Sequence, residues 1–139
     1  MASSISAELS VRNGRAAIEF YIAAFGARQV YRVGGTGDSP EVVAELAIGD
    51  SSFWVSDEAP ANGNFSPETL GGGTVRLLLR VEDPHIVFAQ ALALGARELA
   101  PVAKAHGWLL GRLADPFGHH WEIGKPLIDW RPASGGPRH

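Results

Sequence analysis

An α+β fold built from two tandem strand-helix-strand-strand-strand modules is predicted by three features of the sequence. The chain repeats itself. Val11-Arg12-Asn13, with an apolar run ending in Gly26-Ala27-Arg28, returns as Val81-Glu82-Asp83 with a run ending in Gly95-Ala96-Arg97. Glu45-Leu46-Ala47 and Trp54 return as Arg112-Leu113-Ala114 and Trp121, and two copies in so short a chain suit a pseudo-symmetric pair sharing a cleft better than a solenoid. Each copy holds one run of helical period, and short alternating runs of strand period surround it.

The elements follow in order. Asn13 caps a helix whose stripe is Ala17, Ile18, Tyr21, Ile22 and Phe25, and Gly26 supplies the left-handed stop. In the second copy Asp83 caps, Pro84 takes the first helical position, Val87, Phe88, Ala91 and Leu92 form the stripe, and Gly95 ends it. Strands are expected at 5–11, 29–33, 42–48 and 52–56, then at 75–81, 98–102, 108–114 and 120–123. Gly49-Asp50 and Asp115-Pro116-Phe117-Gly118 are the matching turns between the last two strands of each copy. The chain divides as one domain over 1–139, with module one at 5–57, a linker at 58–73, module two at 74–124 and a tail at 125–139. The linker reads as a solvated connection or as a flap over a pocket, with Ser66-Pro67-Glu68 starting one helical turn. The tail beyond Trp130 reads as disordered.

Composition narrows the function. With 139 residues, 45% of them hydrophobic, the chain is long enough to bury a core. A net charge of −3 gives no basic footprint for nucleic acid or an anionic membrane surface. The absence of cysteine excludes disulfides and thiolate chemistry. No apolar stretch is long enough to span a bilayer, and Met1-Ala2-Ser3-Ser4 has no signal-peptide character, so a cytoplasmic protein is expected. No Ser-His-Asp order, glycine-rich phosphate loop or zinc spacing is present.

Particular stretches carry a resemblance. Ala17-Ile18-Glu19-Phe20-Tyr21 with Phe25-Gly26-Ala27, Ala44-Glu45-Leu46 with Ile48-Gly49-Asp50, Phe65 to Gly72, and Gly111-Arg112-Leu113 with Asp115 to His119 resemble the glyoxalase/bleomycin-resistance/extradiol-dioxygenase superfamily. Within it they look like the branch often described after phosphonate-utilisation or demethylubiquinone-methyltransferase proteins. The resemblance implies a cup-shaped, mostly antiparallel sheet with helices on the outside, and a symmetric homodimer. It also implies a small-molecule ligand held on the concave face. The superfamily spans lyases, isomerases, dioxygenases and drug-sequestering proteins, so the fold alone selects no chemistry.

Metal-dependent members take ligands from the first and last strands of each module. Those positions fall here on Ser6, Val55, Arg76 and Glu122. Only Glu122 is a ligand type, and a fixed guanidinium repels a divalent ion, so no metal or other cofactor is expected. A relocated set of Glu45, His120 and Glu122 stays open.

Strand alternation assigns the concave face. Ser6, Glu8, Ser10, Val43, Glu45, Phe53, Val55, Arg76, Leu78, Arg80, Trp108, Leu110, Arg112, His120 and Glu122 are expected there. Leu9, Leu46, Ile48, Trp54, Leu77, Leu79, Leu113 and Trp121 are expected to pack on the helices. Arg76, Arg112, Trp108, Phe53 and Glu122 are then the ligand-binding candidates: two bidentate cations and two aromatic walls suit an anionic group on an apolar body. The alternative is that Glu45 and Glu122 neutralise both arginines and the face is only a solvated network. His120 and Glu45 are the acid–base candidates. His119 reads as a turn hydrogen bond, His106 as a rim residue near Trp108, and His85 as exposed. Two functions remain: a metal-independent binding protein that sequesters a drug or metabolite, or a lyase, isomerase or epimerase acting on an oxygen-rich small metabolite, with or without a divalent metal.

Overall fold

The computed structural model describes residues 2–128, so the expected disorder beyond Trp130 lies outside the described residues. The order is β1 (Glu8–Val11), α1 (Gly14–Phe25), β2 (Arg28–Gly34), β3 (Val42–Ile48), β4 (Ser51–Asp57), α2 (Pro67–Leu70), β5 (Arg76–Arg80), α3 (Pro84–Ala93), β6 (Arg97–Ala105), β7 (Trp108–Ala114) and β8 (His120–Pro126). Both modules are therefore βαβββ, as the duplication predicts. They form two four-stranded sheets of identical plan, β1-β4-β3-β2 and β5-β8-β7-β6. In each, the first strand pairs parallel with the fourth and the remaining pairs are antiparallel. β8 runs to Pro126, past the expected end of module two at 124, and β6 extends to Ala105.

Local chemistry fixes the helices. The Asn13 carboxamide oxygen accepts the Ala16 N–H at 3.1 Å, and Gly26, at φ 70°, ends α1 in the left-handed region that a Cβ disfavours. The Asp57 carboxylate, at the end of β4, accepts the N–H of Gly14 at 2.9 Å and that of Val42 at 2.7 Å. One side chain thus ties the N-terminus of α1, where the helix dipole favours an anion, to the start of β3.

The linker is more structured than a solvated connection. A short 3-10 turn at Pro60–Asn62 precedes α2, Ser66 is fully buried, and its hydroxyl accepts the Thr69 N–H to cap α2. Glu58 accepts from the Ser66 N–H and the Thr69 hydroxyl, both at 2.8 Å, and lies 3.8 Å from the Arg12 guanidinium. The expected helical turn from Ser66-Pro67-Glu68 is α2 itself. It packs against β1 and the β7–β8 turn.

One core joins the modules. Tyr21 and Phe25 of α1, Phe53 of β4, Phe117 of the β7–β8 turn and Trp121 of β8 meet with ring centroids between 4.7 and 6.3 Å. At its centre the buried Asp115 carboxylate accepts four hydrogen bonds: Tyr21 Oη at 2.5 Å, Trp121 Nε1 at 2.9 Å, and the N–H groups of Phe117 at 2.9 Å and His119 at 3.0 Å. Burial foremost, then the charge and hydrogen bond of Asp115, push the Tyr21 phenol well above its ordinary 10.0, against a lowering by Trp121. The helix-covered faces of both sheets feed this core, and α1 touches α3 directly. Among the described residues no helix is long and apolar enough to cross a membrane.

Candidate functional site

The opposite faces of the two sheets carry the polar residues, and β4 turns the other way from the expected alternation. Phe53 and Val55 are buried in the core, whereas Trp54 lies on the polar face, half-buried with its ring 5.7 Å from Tyr31. The cause is one residue in a turn. Ala47 pairs with Ser52, but Ala114 pairs with His120, so the turn before the last strand is one residue longer in the second module. Leu77 pairs with Trp121, and Leu9 pairs with Val55 as Leu79 does with Ile123, which makes Phe53 the counterpart of Trp121. A one-residue slip exchanges the faces of a strand. Trp54, not Val55, is therefore the counterpart of Glu122.

The second sheet holds most of the candidates. Three rows run across β5, β8 and β7: Arg76, His120 and Ala114; Leu78, Glu122 and Arg112; Arg80, Gly124 and Leu110. Arg76 and Arg112 thus flank Glu122 on one sheet. Arg76 Nε lies 3.5 Å from Glu122 Oε2, with 56% of the Arg76 side chain exposed. A pair so open to water is worth about 0–1 kcal/mol and leaves the guanidinium available to a competing anion. Arg112 is exposed and, among the described residues, has no ion-pair partner. Arg80 stacks over Trp108 at 5.9 Å, which holds the indole as a wall.

A cavity of about 170 Å³ opens on this face, lined by Leu78, Ala105, His106, Trp108, Leu110 and Glu122. Its rim is the β6–β7 hairpin, where His106 (φ 53°) and Gly107 (φ 81°) supply the two positive φ angles of a tight turn. His106 therefore sits at the mouth, as expected. His119 makes the expected turn hydrogen bonds, its N–H donating to Asp115 at 3.0 Å and its carbonyl accepting from the Asp115 N–H at 2.8 Å, and its ring reaches further: Nε2 lies 2.9 Å from the Ser10 carbonyl on β1 and fastens the second module to the first. His85 is exposed on α3.

The first sheet has a different face. Glu45 accepts the Ser52 hydroxyl at 2.9 Å and pairs across the strands with Trp54; Glu8 stands beside Trp54 on β1. Its depression, lined in part by Val33, Glu41, Val43, Ser56 and Asn64, is separate from that of the second sheet. The two acid–base candidates, Glu45 and His120, thus stand on different sheets. The positions that hold a metal in related proteins are occupied by Ser6, Trp54, Arg76 and Glu122, a set that does not fit a divalent ion. Among the described residues no three His, Asp or Glu side chains gather into a ligand cluster.

Trp54, Tyr31, Leu78 and Arg80 are the residues of these faces that sequence reasoning missed or left unused. The strand pairing of the longer turn was the signal for Trp54. Nothing in the sequence marks the stacking of Arg80 on Trp108.

Comparison with known proteins agrees with this geometry. The family model described as a glyoxalase-like domain matches residues 6–124. An uncharacterized protein of Mycobacterium tuberculosis H37Rv is 35% identical over 127 residues, spanning 88% of this chain and 74% of the relative. A solved gene product of Arabidopsis thaliana superposes with a TM-score of 0.69 at 28% identity, over 90% of this chain and 100% of that one. A glyoxalase/bleomycin resistance protein/dioxygenase family enzyme from Burkholderia phytofirmans shares the fold, with a TM-score of 0.67 at 19% identity over 88% and 97% of the two chains. The duplicated βαβββ plan and the match over nearly all described residues belong together: this chain is a member of the glyoxalase-like domain family.

Proposed function

We propose that the protein is a metal-independent binder that sequesters a small molecule, a drug or a metabolite, on the polar face of its second sheet. The observation that carries the reading is the grouping of Arg112, Arg76 and Glu122 beside a cavity walled by Trp108, Leu78 and Leu110. Apolar walls with a few convergent charges are the usual constitution of a small-molecule site. The ligand class is an anion attached to an apolar or aromatic body: the guanidinium groups take the anion, and Trp108 takes the ring. The phosphonate-utilisation or demethylubiquinone-methyltransferase branch suits this reading, since it rests on the same stretches around Gly111-Arg112-Leu113. The enzymatic alternative, a lyase or isomerase using His120 or Glu45 as base, draws no support from having those two groups on separate sheets.

A symmetric homodimer completes the reading. The first sheet's polar face presents Glu8, Glu41 and Glu45 with exposed Tyr31 and Val43, while the second presents Arg76, Arg80 and Arg112 with exposed Leu78. Among the described residues no ion pair joins the two faces within one chain. Pairing of two copies about a two-fold axis, the acidic face of one opposite the basic face of the other, closes the ligand site between them and leaves Arg76 and Arg112 to the ligand's anion. A monomeric mass in solution scattering at micromolar concentration contradicts this assembly.

Calorimetry with an anionic aromatic probe, 1-anilinonaphthalene-8-sulfonate, tests the site. Arg112→Ala should weaken binding by about 1.5–3 kcal/mol, the range for hydrogen bonds to charged groups, with an unchanged melting curve. Arg76→Ala should do the same if its pairing with Glu122 yields to the ligand. Unaltered affinity in both variants removes the arginine clamp; a lowered melting point without an affinity change assigns the arginines to structure.

A further inference from the structure

A second cavity, of about 160 Å³, lies at the seam between the modules, walled by Ala7, Ile48, Phe53, Leu77, Leu79 and Trp121. It opens where the two edge strands β1 and β5 run without a strand partner on their outer sides. Its lining is almost wholly apolar. Ser52, at its margin, spends its hydroxyl on Glu45, and Ser51 donates to the Ile48 carbonyl. An apolar lining of this kind favours an apolar ring over water.

One residue lines both this cavity and the one beside Trp108, namely Leu78. It sits in the middle of edge strand β5, more than half exposed, so little packing holds its rotamer. Each cavity alone is smaller than the roughly 300 Å³ at which small-molecule pockets begin, and joined they reach it. We infer that Leu78 is a movable partition and that the two cavities form one two-chambered site. Resting on the binding function proposed above, this makes Leu78 a specificity-determining residue. It also narrows the ligand to an amphipathic molecule. The anionic end lies by Arg112 and Arg76, and an apolar ring or chain passes Leu78 into the seam, against Phe53 and Trp121.

Fluorescence titration of 1-anilinonaphthalene-8-sulfonate, with a melting curve for every variant, tests the partition. Leu78→Ala opens the passage and should tighten binding about threefold or more. Ala7→Leu, which places a side chain in the seam chamber, should weaken binding about fivefold or more and cancel the gain when combined with Leu78→Ala. Ala7→Val, a smaller filler, gives the same ordering if Ala7→Leu does not fold. The inference is overturned if Arg112→Ala weakens binding while Leu78→Ala and the folded Ala7 variants bind as the unmodified chain does. If Arg112→Ala is also without effect, the binding reading itself fails with it.

Discussion

Removing one oxygen atom, by Tyr21→Phe, should test how the modules are joined. The phenol of Tyr21, on α1 in the first module, donates at 2.5 Å to Asp115 in the second, and both groups are buried. The ring keeps its contacts with Phe25, Phe53, Phe117 and Trp121, so the loss is the hydrogen bond alone. A hydrogen bond to a charged acceptor is worth about 1.5–3 kcal/mol. For a domain of this size each kcal/mol moves the melting point by roughly 3–5 °C, so a fall of roughly 5–15 °C is expected. Alkaline pH adds a second signature. The native phenol is pushed well above 10.0, the unfolded one is not, so above pH 10 the unfolded state releases a proton that the native state keeps. The stability that Tyr21 confers is therefore constant below pH 10 and declines above it, by up to about 1.4 kcal/mol per pH unit until the native phenol also ionises. Urea denaturation of the two proteins at pH 7.5 and across pH 10–11 measures both effects. A loss below about 0.5 kcal/mol at pH 7.5, or a wild-type advantage that does not shrink above pH 10, refutes the account of the lock.

Asp115→Ala should cost more than Tyr21→Phe, about 3 kcal/mol or above, because it strands the Tyr21, Trp121, Phe117 and His119 donors together; equal losses contradict the four-donor picture. Gly111→Ala should destabilise by about 1–3 kcal/mol, since a Cβ there would sit 2.7 Å from Val102 and 2.8 Å from Phe88, and a neutral result in thermal denaturation counts against that packing. Glu58 is held below its ordinary 4.5, by the Ser66 backbone N–H foremost, then the Thr69 and Ser66 hydroxyls and Arg12, against desolvation. Its contribution is present above pH 4.5 and fades as pH falls through the lowered native value, so Glu58→Gln should approach the unmodified protein in stability only under acid conditions. Dialysis against a chelator should leave the melting curve unmoved, and elemental analysis should find no stoichiometric divalent ion; a bound ion stabilises by mass action and would reveal itself in both.

The duplication carried most of the fold. Caps at Asn13 and Asp83, the glycine stop at Gly26 and strand alternation placed nearly every element, because those signals are local; α3 ends a residue before the expected stop, with Leu94 as its cap and Gly95, at φ 113°, just beyond. The face of β4 was not readable that way. Aligning Trp54 with Trp121 matched like with like, yet the extra residue in the second turn makes Phe53 the true counterpart and turns Trp54 outward. An aromatic pair, Phe53-Trp54, fits either register by composition, so only strand pairing decides. The second sheet's Arg76, Trp108, Arg112, His120 and Glu122 fell on the expected face because leucines and Trp121 alternate with them unambiguously. Asp115 was readable as a turn former. Its role as the acceptor that joins Tyr21 to Trp121 depends on a contact 94 residues away and has no local signature.

The proposed function has this glyoxalase-like chain hold an anionic aromatic molecule by its own side chains. Calorimetric titration of 1-anilinonaphthalene-8-sulfonate into chelator-dialysed protein, before and after adding back nickel, zinc or manganese, tests it most directly. The account predicts saturable binding of equal affinity in every case. Binding that is absent after dialysis and returns only with a divalent ion contradicts it.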